Sequence, residues 1–225
     1  MLVRQLLSQL HETKIVLDAD GLNAFASHSE ELRTESLLIL TPHPGEMSRL
    51  TGIDTRDIQN DRVRIARETA NKHRALVVLK GHRTLTATPS GQVWVNLSGN
   101  PGMAKGGSGD VLSGIIAAVL TQMQQGFFRR SSPAGAERIR DLMRRSKEGD
   151  AAAQKELEDH TYKSILEMFG LITAAGVYLH GLAGDLARHQ RGEQSMVATD
   201  IINCIGDALR RAREVASQKF AYLQL

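Results

Sequence analysis

Apolar and polar positions along this chain fall into blocks that change period. "MLVRQLLSQL" (1–10) spaces its leucines along one face of a helix, and "KIVLDAD" then reads as a buried strand ending in two aspartates. "GLNAFASH" is helical in pattern. "SLLILTPHPGE" is a second strand, broken by Pro42 and Pro44, that leads into "GEMSRLTG". From Asp57 to His73, apolar residues at Ile58, Val63, Ile65, Ala66 and Ala70 predict one amphipathic helix with a charged outer face. "ALVVLKG" is continuously apolar, as in strands covered on both faces. "TLTATPSGQVWVNL" predicts two short strands joined at Pro89-Ser90-Gly91, a hairpin.

Beyond the hairpin the pattern is helical only, with helices expected over Ser108–Gln124, Ile165–Arg188 and Val197–Ala216. Between the first two lies a segment, about 125–171, of nearly balanced charge and few large apolar residues. It reads as a charged helical insertion, a solvated hairpin rather than a binding arm. Strands alternating with helices, then a helical C-terminal half, predict an α/β domain with a mostly parallel central sheet flanked by helices. A length of 225 residues fits one large α/β domain or two small ones, and the chain is read as one domain over 1–225.

Composition narrows the class. With five Phe, three Tyr and one Trp, the core must be mainly aliphatic. A net charge of +3 suits an anionic small molecule and is too small to argue for nucleic acid. The single cysteine, Cys204, allows no intramolecular disulfide and no cysteine-cluster metal site; within "MVATDIINCIGDAL" it reads as a packing residue. The N-terminus has no signal-peptide pattern, and no apolar run is read as long enough to span a bilayer. A cytoplasmic enzyme or binding protein is expected, without a membrane partner.

In open α/β sheets, ligands bind beyond the carboxyl ends of the strands. Four polar clusters fall at such ends: "DADGLN", "TPHPGE", "KGHRT" and the glycine stretch "NPGMAKGGSGDVLSG". Each also has a plain structural reading. Asp20 and Asn23 can cap a helix, His43 can hydrogen-bond its loop, Glu46 can favour a helix N-terminus, and Lys80 can be solvated. His180 and Asp185 in "GVYLHGLAGDLA" read as packing and polar satisfaction. The glycine stretch fails both familiar phosphate-loop patterns. Gly102 and Gly107 have P-loop spacing but Ser108 stands where Lys is required, and Leu112 replaces the third glycine of a dinucleotide fingerprint. What remains is a glycine turn entering a helix, able to hold an anion on backbone N–H groups, with Asp110 in the first turn. There Asp110 is placed to accept a proton from a hydroxyl near a phosphate.

These clusters, in this order, resemble the ribokinase-like superfamily and, within it, the ADP/ATP-dependent NAD(P)H-hydrate dehydratases, which repair hydrated nicotinamide cofactors. "VLDADGLNAF", "LTPHPGEMSRL", "VVLKGHRT", "NPGMAKGGSGDVLSGIIAAVL" and "AAGVYLHGLAGDLA" carry the resemblance. It implies Asp110 as catalytic base and substrate contact, with His43 also on the hydrated substrate. It further implies Lys80, Gly81, His82, Arg83 and Thr84 on the adenine nucleotide, with Gly109 at its phosphates. Glu46, with Gly106, Gly107 and Ser108, would lie near phosphate and Mg²⁺, with no direct metal ligand assigned.

The implied reaction is ADP-dependent, or alternatively ATP-dependent, dehydration of the S epimer of NAD(P)HX to NAD(P)H. The implied partners are an NAD(P)HX epimerase and, as one option, further copies of the chain in a homo-oligomer. Family members normally carry more β-α units before "VLDADGLN" and a short connection in place of 125–171. Lys105 stands where a small polar residue is usual and reads either as a phosphate contact or as a solvated lysine. Two other functions fit the same motifs: a ribokinase-like kinase for a thiazole or pyrimidine alcohol, and an inactive, truncated nucleotide-binding module.

Overall fold

A computed structural model describes residues 2–32, 34, 36–122 and 133–222. In chain order the elements are α1 (Leu2–Gln9), β1 (Lys14–Leu17), α2 (Ala19–Asn23), β2 (Leu37–Leu40), α3 (Pro44–Thr51), α4 (Thr55–Asn60), α5 (Arg62–His73), β3 (Leu76–Leu79), β4 (Leu85–Ala87), β5 (Val93–Val95), α6 (Ser108–Gln122), α7 (Pro133–Lys147), α8 (Ala151–Arg191), α9 (Ala198–Asn203) and α10 (Ile205–Tyr222).

The sheet runs β1-β2-β3-β4-β5. The first three strands are parallel, and the β4–β5 hairpin continues the sheet antiparallel, so it is mixed with a parallel start. Side chains alternate across it. Leu38, Leu40, Val77 and Leu79 face a core built with Leu22, Phe25, Met47 and Ile65. Ile39, Leu76 and Val78 face the opposite core with Leu112 and Ile116 of α6 and Phe169 and Ile172 of α8. Both faces are therefore covered, which is why "LLIL" and "LVVL" carry no polar residue. A third cluster joins α6, α8, α9 and α10 and buries Cys204.

Two expected helices are each divided. The Asp57–His73 segment becomes α4 and α5 because Asp61, non-helical at φ −142° and ψ 62°, turns its carboxylate onto the Arg64 N–H and caps a new helix. A side chain that bonds to nearby backbone competes with helix continuation, and periodicity alone does not report this. The Val197–Ala216 segment is likewise divided at Cys204, whose N–H is shared among the carbonyls of Asp200, Ile201 and Ile202.

By contrast, α8 is far longer than the expected 165–188. Its 41 residues extend roughly 60 Å at 1.5 Å each. Asp150 caps its start, and its early turns pack on α7 through Leu142, Ala153 and an Arg138–Glu156 ion pair of 2.6 Å. An 18-residue window of α8 reaches mean hydropathy 1.5, so by length and composition this helix, unlike the reading from sequence, is apolar enough to cross a bilayer. Half of that window is buried inside the protein, and packing against α6 and the sheet accounts for its apolar character. The expected insertion begins within 123–132, outside the described residues; over 133–171 the chain forms α7 and the first half of α8.

Where α8 crosses the loop after β5, glycine permits the approach. A methyl group on Gly181 would stand 2.7 Å from the backbone carbon of Ser98 and 2.8 Å from its oxygen. Because backbone cannot swing aside as a side chain can, Gly181→Ala is expected to destabilise the protein by about 2–3 kcal/mol. The check is a urea midpoint that falls at unchanged m.

Candidate active site

The parallel strands β1, β2 and β3 place Asp18, Thr41–Glu46 and Lys80–Thr84 along one edge of the sheet. Asp18 follows β1 directly and caps α2, accepting the Ala19 N–H at 2.9 Å. The cap is thus Asp18 and not Asp20 or Asn23; Asn23 instead accepts a hydrogen bond from Arg49 at 2.8 Å.

After β2, the Pro-His-Pro sequence ends the strand and starts α3 with Pro44 in its first turn. His43 Nδ1 accepts the N–H groups of Gly45 and Glu46 at 3.0 and 3.2 Å, and Glu46 Oε2 accepts the His43 N–H at 2.7 Å. This is a capping box with imidazole in the usual hydroxyl position. With Nδ1 accepting, the neutral ring carries its proton on Nε2, which lies 3.4 Å from Glu46 Oε1. The His43 side chain remains half-exposed.

Lys80 connects these strand ends. Its backbone N–H donates to the Pro42 carbonyl at 2.8 Å. Its ammonium lies 2.6 Å from Asp18 Oδ1 and 3.5 Å from Glu46 Oε2. All three side chains are largely buried, so Lys80 is a paired and not a solvated lysine. The second Asp18 oxygen accepts Ser113 Oγ at 2.7 Å, which brings in α6. Burial alone would raise the Asp18 pKa, but the hydrogen bonds from Lys80 and Ser113 hold it below the ordinary carboxylate value. Gly109 completes the cluster: a methyl group there would stand 3.6 Å from Lys80 Nζ and 3.9 Å from Asp18 Oδ2.

The glycine turn is held from behind by α8 and the loop that follows it. Asn100 donates to the Gly184 carbonyl and to Asp185 Oδ1, both at 3.0 Å, and Asp185 Oδ2 accepts the Gly99 N–H at 2.9 Å. Lys105 is exposed, and its ammonium donates to the carbonyls of Gln194 and Met196 at 2.7 and 2.6 Å. Gly107 adopts φ +85°, and buried Ser108 opens α6 with Oγ 3.4 Å from His180 Nε2. Gly106 is exposed. Asp110 is exposed in the first turn of α6, and no described residue bonds to its carboxylate. Three positions separate it from Ser113, so the Asp18–Ser113 bond anchors the same side of the helix that carries Asp110.

The Lys80–Thr84 turn is closed by Thr84 Oγ1 donating to the Gly81 carbonyl at 2.9 Å. Its unusual backbone, with Gly81 at φ +136° and Arg83 at φ +55°, leaves His82 and Arg83 exposed, without a hydrogen bond to a described residue. The structure therefore brings Asp18, Glu46 and Gly109 together around Lys80, with His43 against Glu46. It leaves Asp110, His82 and Arg83 facing solvent at the same edge. Asp18 and Ser113 were not among the expected site residues. A signal existed for Asp18, the first polar residue after a strand that ends in the site, whereas Ser113 is inconspicuous within an apolar helix.

His180 is buried, and desolvation lowers its pKa to about 4. In the unfolded chain the ring protonates near the ordinary value of about 6.5. Native stability is therefore lost as pH falls from about 6.5 towards 4, by roughly 2–3 kcal/mol at about pH 4.5. Urea unfolding at pH 7 and pH 4.5 should show this loss, and His180→Gln should show it reduced by that amount.

The sequence profile of the NAD(P)H-hydrate dehydratase family matches residues 2–169. The bifunctional NAD(P)H-hydrate repair enzyme Nnr of Moorella thermoacetica is 39% identical over 214 residues, 95% of this chain and 32% of the relative. The ADP-dependent (S)-NAD(P)H-hydrate dehydratase of Neisseria meningitidis is 45% identical over 120 residues, 52% of this chain and 40% of the relative. The crystal structure of the ADP/ATP-dependent NAD(P)H-hydrate dehydratase from Bacillus subtilis, co-crystallized with ATP/Mg²⁺, superposes with a TM-score of 0.59 at 26% identity. That match covers 89% of this chain and 55% of the other. The chain thus spans about a third of the bifunctional relative and about half of the solved structure.

Proposed function

The chain belongs to the NAD(P)H-hydrate dehydratase family, and we propose that it converts the S epimer of hydrated NAD(P)H back to NAD(P)H with ADP as co-substrate. The observation that carries this reading is Asp110: an exposed, unbonded carboxylate one residue from Gly109, which lies open beside Lys80. Such a carboxylate is free to take a proton, while its neighbours are committed to holding the fold.

In the proposed reaction, Asp110 accepts the proton of the C6 hydroxyl as that oxygen bonds to the terminal phosphorus of ADP. The bond from that phosphorus to the bridging oxygen breaks, and AMP leaves. The ring nitrogen's lone pair then expels phosphate from C6, and loss of a proton from C5 restores the 1,4-dihydropyridine. Phosphate leaves far more readily than hydroxide, which is why a nucleotide is consumed. The N–H groups at the start of α6 stabilise the charge on the transferring phosphoryl group. His43, half-exposed with its Nε2 proton beside Glu46, is assigned to the substrate side.

Mg²⁺ fits this edge as an ion arriving with the nucleotide. Among the described residues, no group of three or more His, Cys, Asp or Glu could hold a metal alone. Mg²⁺ is commonly bound by one or two carboxylates together with substrate phosphates; Glu46 would lie near it, and no direct ligand is assigned. When bound, it would neutralise phosphate charge. We extend the reading to a cytoplasmic setting and an NAD(P)HX epimerase that supplies the S epimer.

The direct test follows NADH formation from NADHX with ADP, against ADP with a thiazole alcohol. Phosphorylation of the alcohol without NADH formation would replace this reading with the kinase. Asp110→Asn should retain ADP affinity in calorimetric titration while turnover falls about 10²–10⁴-fold, the range of general-base catalysis. Unchanged turnover would remove Asp110 from that role.

A further inference from the structure

Arg62 is a charged residue placed at apparent disadvantage. It is the first residue of α5, where the positive end of the helix dipole opposes a cation. The side chain is partly buried, and that burial lowers its pKa. No described carboxylate lies within ion-pair distance: the neighbouring Asp61 is bonded to Arg64 instead. The guanidinium is satisfied only by neutral acceptors. Nη1 donates to Gln59 Oε1 at 2.9 Å, and Nη2 donates to the carbonyls of Leu79 and Lys80 at 3.0 and 3.3 Å.

Those two carbonyls are the last of β3 and the first of the Lys80–Thr84 turn. The guanidinium also occupies the side-chain position of the next residue: a methyl on Gly81 would stand 3.1 Å from Nη1 and 3.3 Å from Nη2. Gly81 has φ +136°, so its backbone is open to that approach. Arg62 therefore bonds the carbonyls of Leu79 and Lys80 and fills the space a side chain on Gly81 would need, where the strand becomes the turn. A residue serving only packing there would not need charge, and an arginine serving only an ion pair would have an acid opposite it.

We propose that Arg62 is a positioning residue for the adenine-nucleotide turn, shaping Lys80-Gly81 from beneath and adding uncompensated positive charge to a site that receives an anion. This rests on the reading of Lys80–Thr84 as the nucleotide turn. The charge has no acidic partner among the described residues, and the phosphates of a bound nucleotide would supply negative charge nearby, offsetting its placement at the helix start.

The test is calorimetric titration of ADP into wild type, Arg62→Met and Arg62→Lys, with thermal unfolding of each ligand-free protein. Methionine keeps an apolar stem and removes charge and donors; lysine keeps the charge. ADP should bind about tenfold more weakly to Arg62→Met, the effect of losing charged hydrogen bonds, with part of the affinity regained in Arg62→Lys. Turnover at saturating ADP should stay near wild type. Gly81→Ala presses on the same guanidinium from the other side and should also weaken ADP; it replaces Arg62→Met if that variant does not fold. Wild-type ADP affinity in Arg62→Met, or in Gly81→Ala where it stands in, overturns the proposal, as does lowered thermal stability with unchanged affinity. Failure of wild type itself to bind ADP would instead overturn the assignment of the turn.

Discussion

The ammonium of Lys80, held between the carboxylates of Asp18 and Glu46, is the interaction on which the site depends. Each of the three charges ends a different stretch of backbone: Asp18 follows β1, Glu46 opens α3 after β2, and Lys80 follows β3. Through Ser113 the same cluster reaches α6. Removing one partner of a buried ion pair costs about 3–5 kcal/mol because the remaining charge is left without compensation. The cluster therefore fixes the spacing of the strand ends as well as their charge. It also carries two negative charges against one positive.

A division of labour follows. Residues that bond within the protein, such as Asp18, Glu46, Asn100, Lys105 and Asp185, hold backbone in place. Asp110, His82 and Arg83 have no described bonding partner and face solvent. His43 belongs to both groups, with Nδ1 committed to the α3 cap and the other edge half-exposed.

Much of this was legible in the sequence because strand-end chemistry is local. The strands, the hairpin, the start of α6 at Ser108 and the clustering of polar residues at strand ends all follow from short patterns. The unreadable parts depend on distant partners or on competition between local bonds. Asp61 ended a helix that hydrophobic periodicity would continue, because its carboxylate found a backbone N–H three residues on. The partners of Lys105 lie about ninety positions away in a loop with no motif. Ser113 gains a role only once Asp18 is brought against it. The expected helical hairpin and the helix expected at 165–188 join into one helix, Ala151–Arg191, because no residue between them interrupts the backbone bonding, which reading each segment separately does not show.

The 41-residue helix α8 sets different rules for its two ends. Near Gly181, Gly184 and Asp185 its angular phase matters, because each added residue turns the helix by roughly 100° and would carry Asp185 away from Gly99 and Asn100. At the other end, matched residues added to α7 and the start of α8 would lengthen the hairpin at its tip and leave that phase untouched. Lineages can therefore grow or shorten this projection by tip insertion without disturbing the glycine turn. One continuous helix thus combines a stretch in which length is free with a stretch in which rotation is not.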